Sequence, residues 1–239
     1  MIRKHFIGTG IPGEAEFRWR GEEVTRLEGF SDAVFAFAVT LLVVSLEVPK
    51  SFPQLVEVLR GFPPFAACFY LLALVWRQHV LYFRRYGLQD TPATVLNCAL
   101  LFFVLFYVYP MKFMFVKMFE RGAMEEGQVR TLFLVFAGGF GAISAIFVLL
   151  QWHAWRRRQE LALNAIESLQ TTQNLIHHAA MLLISVAGAT LAEIVPASWA
   201  GRTGFIYLVI PLYYSVAGSI FGRQRRRLSE RLRSATVSS

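Results

Sequence analysis

Long uncharged apolar runs alternate with short clusters of arginine along most of this chain. Residues 91–111, 131–155, 168–192 and 203–222 form four such runs, each 20 to 25 residues long. A helix rising 1.5 Å per residue needs roughly 20 apolar residues to cross a hydrocarbon core about 30 Å thick. Two further runs, 33–46 and 61–76, have charges close to their ends and reach spanning length when extended by a turn at each side. The runs are continuously apolar, without the two-residue alternation of a transmembrane β-barrel. The pattern predicts an all-α, polytopic membrane protein with six transmembrane helices per chain.

Short loops between the runs fit antiparallel neighbours. Pro49, Pro53, Pro63 and Pro64 bracket the first outer loop, and Pro92 opens the third helix, where proline is tolerated. Pro110 is expected to kink or end that helix, and Pro211 falls within the sixth span. Lys112 and Lys117, at the outer end of the third helix, are placed to snorkel toward headgroups.

Composition agrees with the pattern. The chain is 55% hydrophobic and 17% charged, whereas soluble domains carry about 25% charged residues. A soluble enzyme core of this length could not bury so much apolar surface. The 22 Phe, 8 Tyr and 5 Trp argue against disorder, and two cysteines cannot staple a secreted scaffold. Of 24 Lys and Arg, only Lys50, Arg60, Lys112, Lys117, Arg121, Arg130 and Arg202 fall in loops on the far side from the N-terminus. That asymmetry predicts both termini in the cytoplasm, with the protein in the cell's inner or plasma membrane. It also accounts for the formal net charge of +8, so nucleic acid is not an expected partner. Residues 1–24 hold no apolar h-region, so no cleaved signal is expected ahead of the first span. The expected organisation is a cytosolic segment over 1–23, a six-helix unit over 24–222 and a basic cytosolic tail over 223–239. No internal repeat is visible, so symmetry around a pore would have to come from several copies.

The start of the first span holds the most informative residues. Arg26, Phe30, Ser31 and Asp32 lead directly into an apolar helix, and a carboxylate beside such a helix is costly without a partner. One reading makes Ser31 and Asp32 a helix N-cap with Arg26 as local counter-charge. The other makes Arg26, Ser31 and Asp32 a polar knot that ties the helix base to its neighbours, with His79 and Asn97 as partners.

The spacing Arg26-x-x-x-Phe30-Ser31-Asp32 resembles the signature of the transmembrane protein 175 family, endosomal and lysosomal potassium channels with bacterial relatives. Thr40-Leu41-Leu42, the exit at Val48-Pro49, Trp76 with His79, and Leu96-Asn97 extend the resemblance over roughly residues 24 to 222. It implies a homotetramer in which each first helix lines a central pore conducting potassium, with no bound cofactor. It also implies a narrow ring at Phe37 and a polar ring at Thr40. Phe37 is bulkier than the Ile or Leu usual there, Ala33 replaces a frequent Gly, and Ser45 replaces a frequent acidic residue. Glu47 supplies a carboxylate two positions later, about 200° around the helix. No T-V-G-Y-G segment occurs, which argues against a carbonyl filter of the usual kind.

The helix's own geometry is compatible with this. Ala33, Phe37, Thr40, Val44 and Glu47 share one face at spacings of three and four, and Leu41 borders it. Around a symmetry axis this stripe would give apolar, hydroxyl, apolar and acidic rings, and apolar rings can gate by dewetting. Plain packing against lipid or a neighbour would use the same stripe.

Other candidates are weaker. His177 and His178 point about 100° apart on a helix and cannot share one metal ion from one face. They suit interhelical hydrogen bonds, or a proton relay with Asp32 and His79 in a proton-permeable channel or proton-coupled transporter. A non-conducting membrane scaffold is the third reading. Cys68 and Cys98 read as packing residues, and no metal site is expected. Gly138, Gly139, Gly141, Ser144 and Ala145 give the fourth span a small-residue face suited to close packing. Arg223, Arg225, Arg226 and Arg227 fit contact with anionic lipid. No catalytic constellation is present, so no enzyme is expected.

Overall fold

The structure, a computed structural model, describes residues 17–21, 23–44, 49–120 and 126–237. It is all-helical. The elements are α1 (Arg26–Val44), α2 (Phe52–Arg60), α3 (Phe62–Tyr86), α4 (Thr91–Glu120), α5 (Glu126–Arg156), α6 (Ala165–Ile194), a 3₁₀ segment (Ala197–Leu208) and α7 (Val209–Val237). The five helical stretches from α2–α3 to α7 contain windows long and apolar enough to cross a membrane. α1 contributes 19 described residues, about 28 Å of rise. A multi-pass bundle of five or six long apolar helices results.

Several boundaries differ from the sequence reading, each for a local reason. α2 is a short amphipathic helix between α1 and α3. α3 continues ten residues past Trp76, over Arg77, Arg84 and Arg85, and ends where Gly87 adopts φ +61° and returns its N–H to the Phe83 carbonyl. Only a residue without Cβ takes that left-handed turn cheaply. α4 does not end at Pro110 but runs on to Glu120. The last span opens as 3₁₀ helix over Ala197–Leu208; α-geometry starts at Val209, placing Pro211 in the first turn, where its missing N–H has no intrahelical partner to lose. α7 then continues through Gly222 to Val237, so the basic tail extends the same helix.

α5 lies centrally, against α4 on one side and α6 on the other, while α1 packs on α3 and α4. The small-residue face of α5 sets these approaches. The Tyr107 ring of α4 occupies the space a Cβ on Gly139 would need, and the Ser185 side chain of α6 closes over Gly141 with its Oγ 2.7 Å from the missing Cβ. Ser185 Oγ also donates to the Ala137 carbonyl at 2.6 Å. Gly139→Leu should therefore force Tyr107 from its buried seat and cost about 1–3 kcal/mol. A lowered melting temperature in detergent checks this; an unchanged one would mean α4 slides freely past α5.

At the arginine-rich end, residues 17–21 lie across the bundle. Phe17 is buried edge-on to Tyr86, with ring centroids 5.7 Å apart. The Arg20 and Gly21 amides donate to the Arg84 carbonyl at 3.0 and 3.1 Å. The Arg20 guanidinium forks onto Glu167 (NH2 to Oε2 2.7 Å, NH1 to Oε1 3.2 Å) while its Nε donates to the Leu161 carbonyl at 2.8 Å. Glu167 is itself half of a capping box with Asn164 at the start of α6. The Asn164 and Arg18 amides also donate to its carboxylate, at 3.0 and 2.8 Å. Asp90 plays a matching part between α4 and α5: it caps α4 through the Ala93 amide and meets His153 and Arg157, each at 2.8 Å.

Candidate pore helix and its polar base

α1 is two-faced. Glu28, Ser31, Phe35, Ala38 and Leu42 are buried, at alternating spacings of three and four. At 100° per residue they form one seam, and it packs into α3 and α4. Ala33, Phe37 and Thr40 lie roughly opposite that seam, and all three are exposed, Phe37 by 55%. Leu41 sits at the border, partly buried against the core. The Val44 side chain and all of Glu47 and Ser45 lie outside the described residues.

The helix starts at Arg26, a full turn before Ser31. Its cap is Thr25: the Thr25 amide donates to Glu28 Oε2 at 3.0 Å and the Glu28 amide to Thr25 Oγ1 at 3.2 Å, a reciprocal capping box. Ser31 and Asp32 are therefore not at the N-cap, and the reading that placed them there is corrected. They sit in the second turn.

Ser31 faces inward and is fully buried. Its hydroxyl donates to the Leu27 carbonyl at 2.7 Å and accepts from Asn97 Nδ2 of α4 at 2.9 Å. Asn97 Oδ1 accepts from His79 Nε2 of α3 at 2.8 Å. All three residues are at most 1% exposed, and Phe35 and Phe83 flank the imidazole. A buried polar chain of this kind fixes the register of α1, α3 and α4, since sliding one helix would strand polar atoms in apolar surroundings. Asn97→Leu removes the central link and leaves His79 and Ser31 without it. It should cost about 1–3 kcal/mol, read as a lower melting temperature; an unchanged melt would mean the chain carries no register.

Asp32 leaves this chain and accepts from Trp76 Nε1 of α3 at 2.8 Å. Arg26 is exposed, and among the described residues no hydrogen bond or ion pair joins its side chain to Ser31, Asp32 or their partners. The structure thus brings Ser31, Asn97 and His79 together, gives Asp32 a separate partner, and leaves Arg26 and the exposed Phe30 outside.

On the exposed face, the Thr40 hydroxyl donates to the Ala36 carbonyl at 3.0 Å. With its proton turned back onto the helix, the oxygen presents acceptor lone pairs outward. Toward the other end of the helix, Lys112 Nζ of α4 donates to the Leu42 carbonyl at 2.8 Å. Lys112 is therefore turned to the backbone of α1, where the sequence reading sent it to the headgroups.

The remaining candidates are packing groups. His178 stacks on Phe147 with centroids 4.8 Å apart, and His177 stands edge-on to Tyr214 at 4.1 Å. Ring packing takes the place of the interhelical hydrogen bonds expected for them. Among the described residues no group of His, Cys, Asp or Glu could hold a metal ion. The sequence reading named Trp76 and Lys112 without these partners, and it missed Thr25 and the Arg20–Glu167 pair. The T-x-x-E and N-x-x-E spacings at Thr25 and Asn164 were legible signals for two of these sites; nothing local marks the others.

Residues 26–110, which carry α1, α3 and most of α4, match the family described as the endosomal/lysosomal potassium channel TMEM175. A potassium channel of Marivirga tractuosa is 34% identical over 232 residues, covering 89% of this chain and 93% of that protein. One of Chamaesiphon minutus is 29% identical over 140 residues, covering 55% of this chain and 66% of its own. The crystal structure of a variant of the potassium channel MtTMEM175, in complex with a nanobody–MBP fusion, superposes with a TM-score of 0.78 at 32% identity, covering 87% of this chain and 97% of that one. A second crystal structure, a lysosomal potassium-selective channel TMEM175 homologue from Chamaesiphon minutus, shares the fold with a TM-score of 0.55 at 23% identity, over 80% of this chain and 96% of that one. With the Marivirga tractuosa relative 34% identical over 89% of this chain, the chain belongs to the TMEM175 family, a family of ion channels and not of enzymes.

Proposed function

We propose that the chain assembles as a homotetrameric, potassium-preferring cation channel in which α1 of each subunit lines a central pore and ions pass down their electrochemical gradient. The observation that carries this is the division of α1: one face is locked into α3 and α4, while Ala33, Phe37 and Thr40 stand exposed on the other. A stripe of phenyl, methyl and hydroxyl groups serves as the wall of a conduit shared by several copies. The relatives named potassium channels support the choice of ion. Four Phe37 rings form the hydrophobic constriction, with Leu41 backing them. Thr40 oxygens offset part of the dehydration cost of a cation at the adjacent ring. By their spacing in the sequence, Val44 and Glu47 belong to the same set of pore residues. Selectivity is modest, because it rests on a narrow apolar ring and hydroxyls and not on a carbonyl cage.

The register chain of Ser31, Asn97 and His79, with Asp32 on Trp76, holds the inner end of this wall. The arginine-rich end lies in the cytoplasm with both termini, in the cell's inner or plasma membrane. Arg223, Arg226 and Arg227, exposed on α7, meet anionic headgroups there, and Arg225 shares that charge. Potassium is the permeant ion and no cofactor is needed.

The test is reconstitution. The purified protein should run as four chains and release potassium from loaded liposomes without any pH gradient. Saturable flux that requires a pH gradient would support a proton-coupled carrier using Asp32, His79, His177 and His178. A monomeric, electrically silent protein would support a scaffold. Either result overturns the channel reading.

A further inference from the structure

α6 enters the bundle with a polar stripe that packing among apolar helices does not require. Gln170, Gln173, Asn174 and His177 recur at intervals of three and four, so they share one face. They line a cavity of about 180 Å³ together with Arg85 of α3 and Arg225 of α7. At roughly 30 Å³ per water, that is room for about six waters, or for a phosphate group with its nearest hydration. Gln170 and Gln173 are buried, and the other four are half-buried. Gln173 Nε2 reaches α7 at Gln224 Oε1 (3.1 Å) and the Phe221 carbonyl (3.4 Å), which ties the two helices beside the cavity.

Two features set the chemistry. No Asp or Glu is among the residues lining the cavity, while two guanidinium groups are. Arginine stays protonated, and its planar fork matches the oxygens of a phosphate. The cavity also lies at the arginine-rich end, beside the last turn of α3, the first turns of α6 and the point where α7 passes into its basic extension. Arg225 differs from its neighbours here: Arg223, Arg226 and Arg227 are exposed, and Arg225 alone of the four lines the cavity.

We propose that this cavity between α3, α6 and α7 is a binding site for a phosphate-bearing anion, held by Arg85 and Arg225 with side-chain amides of α6. An anionic phospholipid headgroup and free phosphate share this chemistry. The site rests on the reading of the arginine-rich end as the one that meets anionic lipid, and narrows it to one place and two residues.

The experiment titrates the full-length protein in detergent with dioleoylphosphatidylglycerol, with dioleoylphosphatidylcholine, and with inorganic phosphate, following bound lipid by native mass spectrometry and stability by thermal melting. Saturable binding of the glycerol lipid over the choline lipid is expected. Arg85→Gln or Arg225→Gln should weaken it roughly tenfold or more, the usual effect of losing a charge-assisted hydrogen bond. Arg225→Lys should recover part of it, and a triple change of Arg223, Arg226 and Arg227 to Gln should remove only the weak, non-saturating lipid contact along the tail and leave saturable binding at the cavity in place. Displacement of the lipid by inorganic phosphate supports the proposal by showing that the phosphate itself is recognised. Stabilisation by phosphate with no lipid bound supports it with the free anion as ligand. Melting without lipid checks that each variant is folded; if Arg85→Gln is not, Arg225→Gln decides. Affinity lost only in the triple variant overturns the cavity site while leaving lipid contact along the exposed tail intact. Affinity unchanged in every variant overturns both.

Discussion

Phe37→Ala should raise potassium flux through reconstituted liposomes by roughly tenfold and reduce discrimination between potassium and sodium. The magnitude follows from the barrier: lowering it by only about 1.4 kcal/mol accelerates passage tenfold, and in the proposed tetramer the loss of four phenyl groups from one ring would widen and wet it. Folding should not suffer, because Phe37 is 55% exposed and stands away from the seam that packs on α3 and α4. Its neighbour Phe35, 4% exposed, is the internal control: Phe35→Ala should cost about 3–5 kcal/mol of stability without changing the ion preference of whatever protein remains folded. Flux and selectivity unchanged in Phe37→Ala would remove the constriction from this residue. Thr40→Val, which keeps shape and deletes the outward oxygen, then separates the ring's width from its polarity.

Arg20→Ala should destabilise the protein by about 3–5 kcal/mol, the usual cost of leaving one member of a buried ion pair behind. For a chain of this size that lowers the melting temperature by roughly 10 °C. The side chains of Arg20 and Glu167 are 12% and 1% exposed, so solvent cannot stand in for the lost guanidinium. Glu167 would keep only its amide donors from Asn164 and Arg18. Because residues 17–21 lead directly into α1, the same change should loosen the inner end of that helix. Replacing both partners with methionine should cost less than Arg20→Ala alone, since no charge is then stranded. Equal melting of Arg20→Ala and the parent protein would mean that the segment does not hold the bundle.

Asp90 fixes a pH dependence. Burial opposes its charge, but the Ala93 amide, His153 and Arg157 prevail and hold the carboxyl below its ordinary range. A carboxyl that ionises more easily folded than unfolded binds fewer protons when folded. Its stabilisation is therefore complete above the ordinary carboxylate range and is lost as pH falls through that range and below. Asp90→Asn should lower stability at neutral pH and flatten the acid limb of the melting curve.

The length of the apolar runs made the helices legible, because bilayer thickness imposes a length that no local detail can override. Four of the spans and the polar start of α1 follow from that constraint and from the Arg26, Phe30, Ser31 and Asp32 spacing. The boundaries did not follow as well. Charged residues at Arg77, Arg84 and Arg85 looked like a helix end, yet α3 carries them in its final turns, where arginine stems can cover apolar surface while their heads reach water. Pro110 was expected to kink or end its helix, and α4 runs past it to Glu120. The cap at Thr25 was written in T-x-x-E but was overshadowed by the more conspicuous Ser31 and Asp32.

The amino-acid order by itself determined that this chain is a helical membrane protein, that its charge is asymmetric, and that a polar signature opens the first apolar helix. Hydropathy and charge are sums over neighbours in sequence, so they are written locally. Only the tertiary structure decided that Ser31 turns to Asn97 and His79 while Asp32 turns to Trp76, that Arg20 reaches Glu167 across 147 residues, and that Phe37 lies on the free face of α1. Those outcomes depend on which helices become neighbours and at what rotation. A pairing between distant residues is fixed by packing over the whole bundle, and no short stretch of sequence contains it.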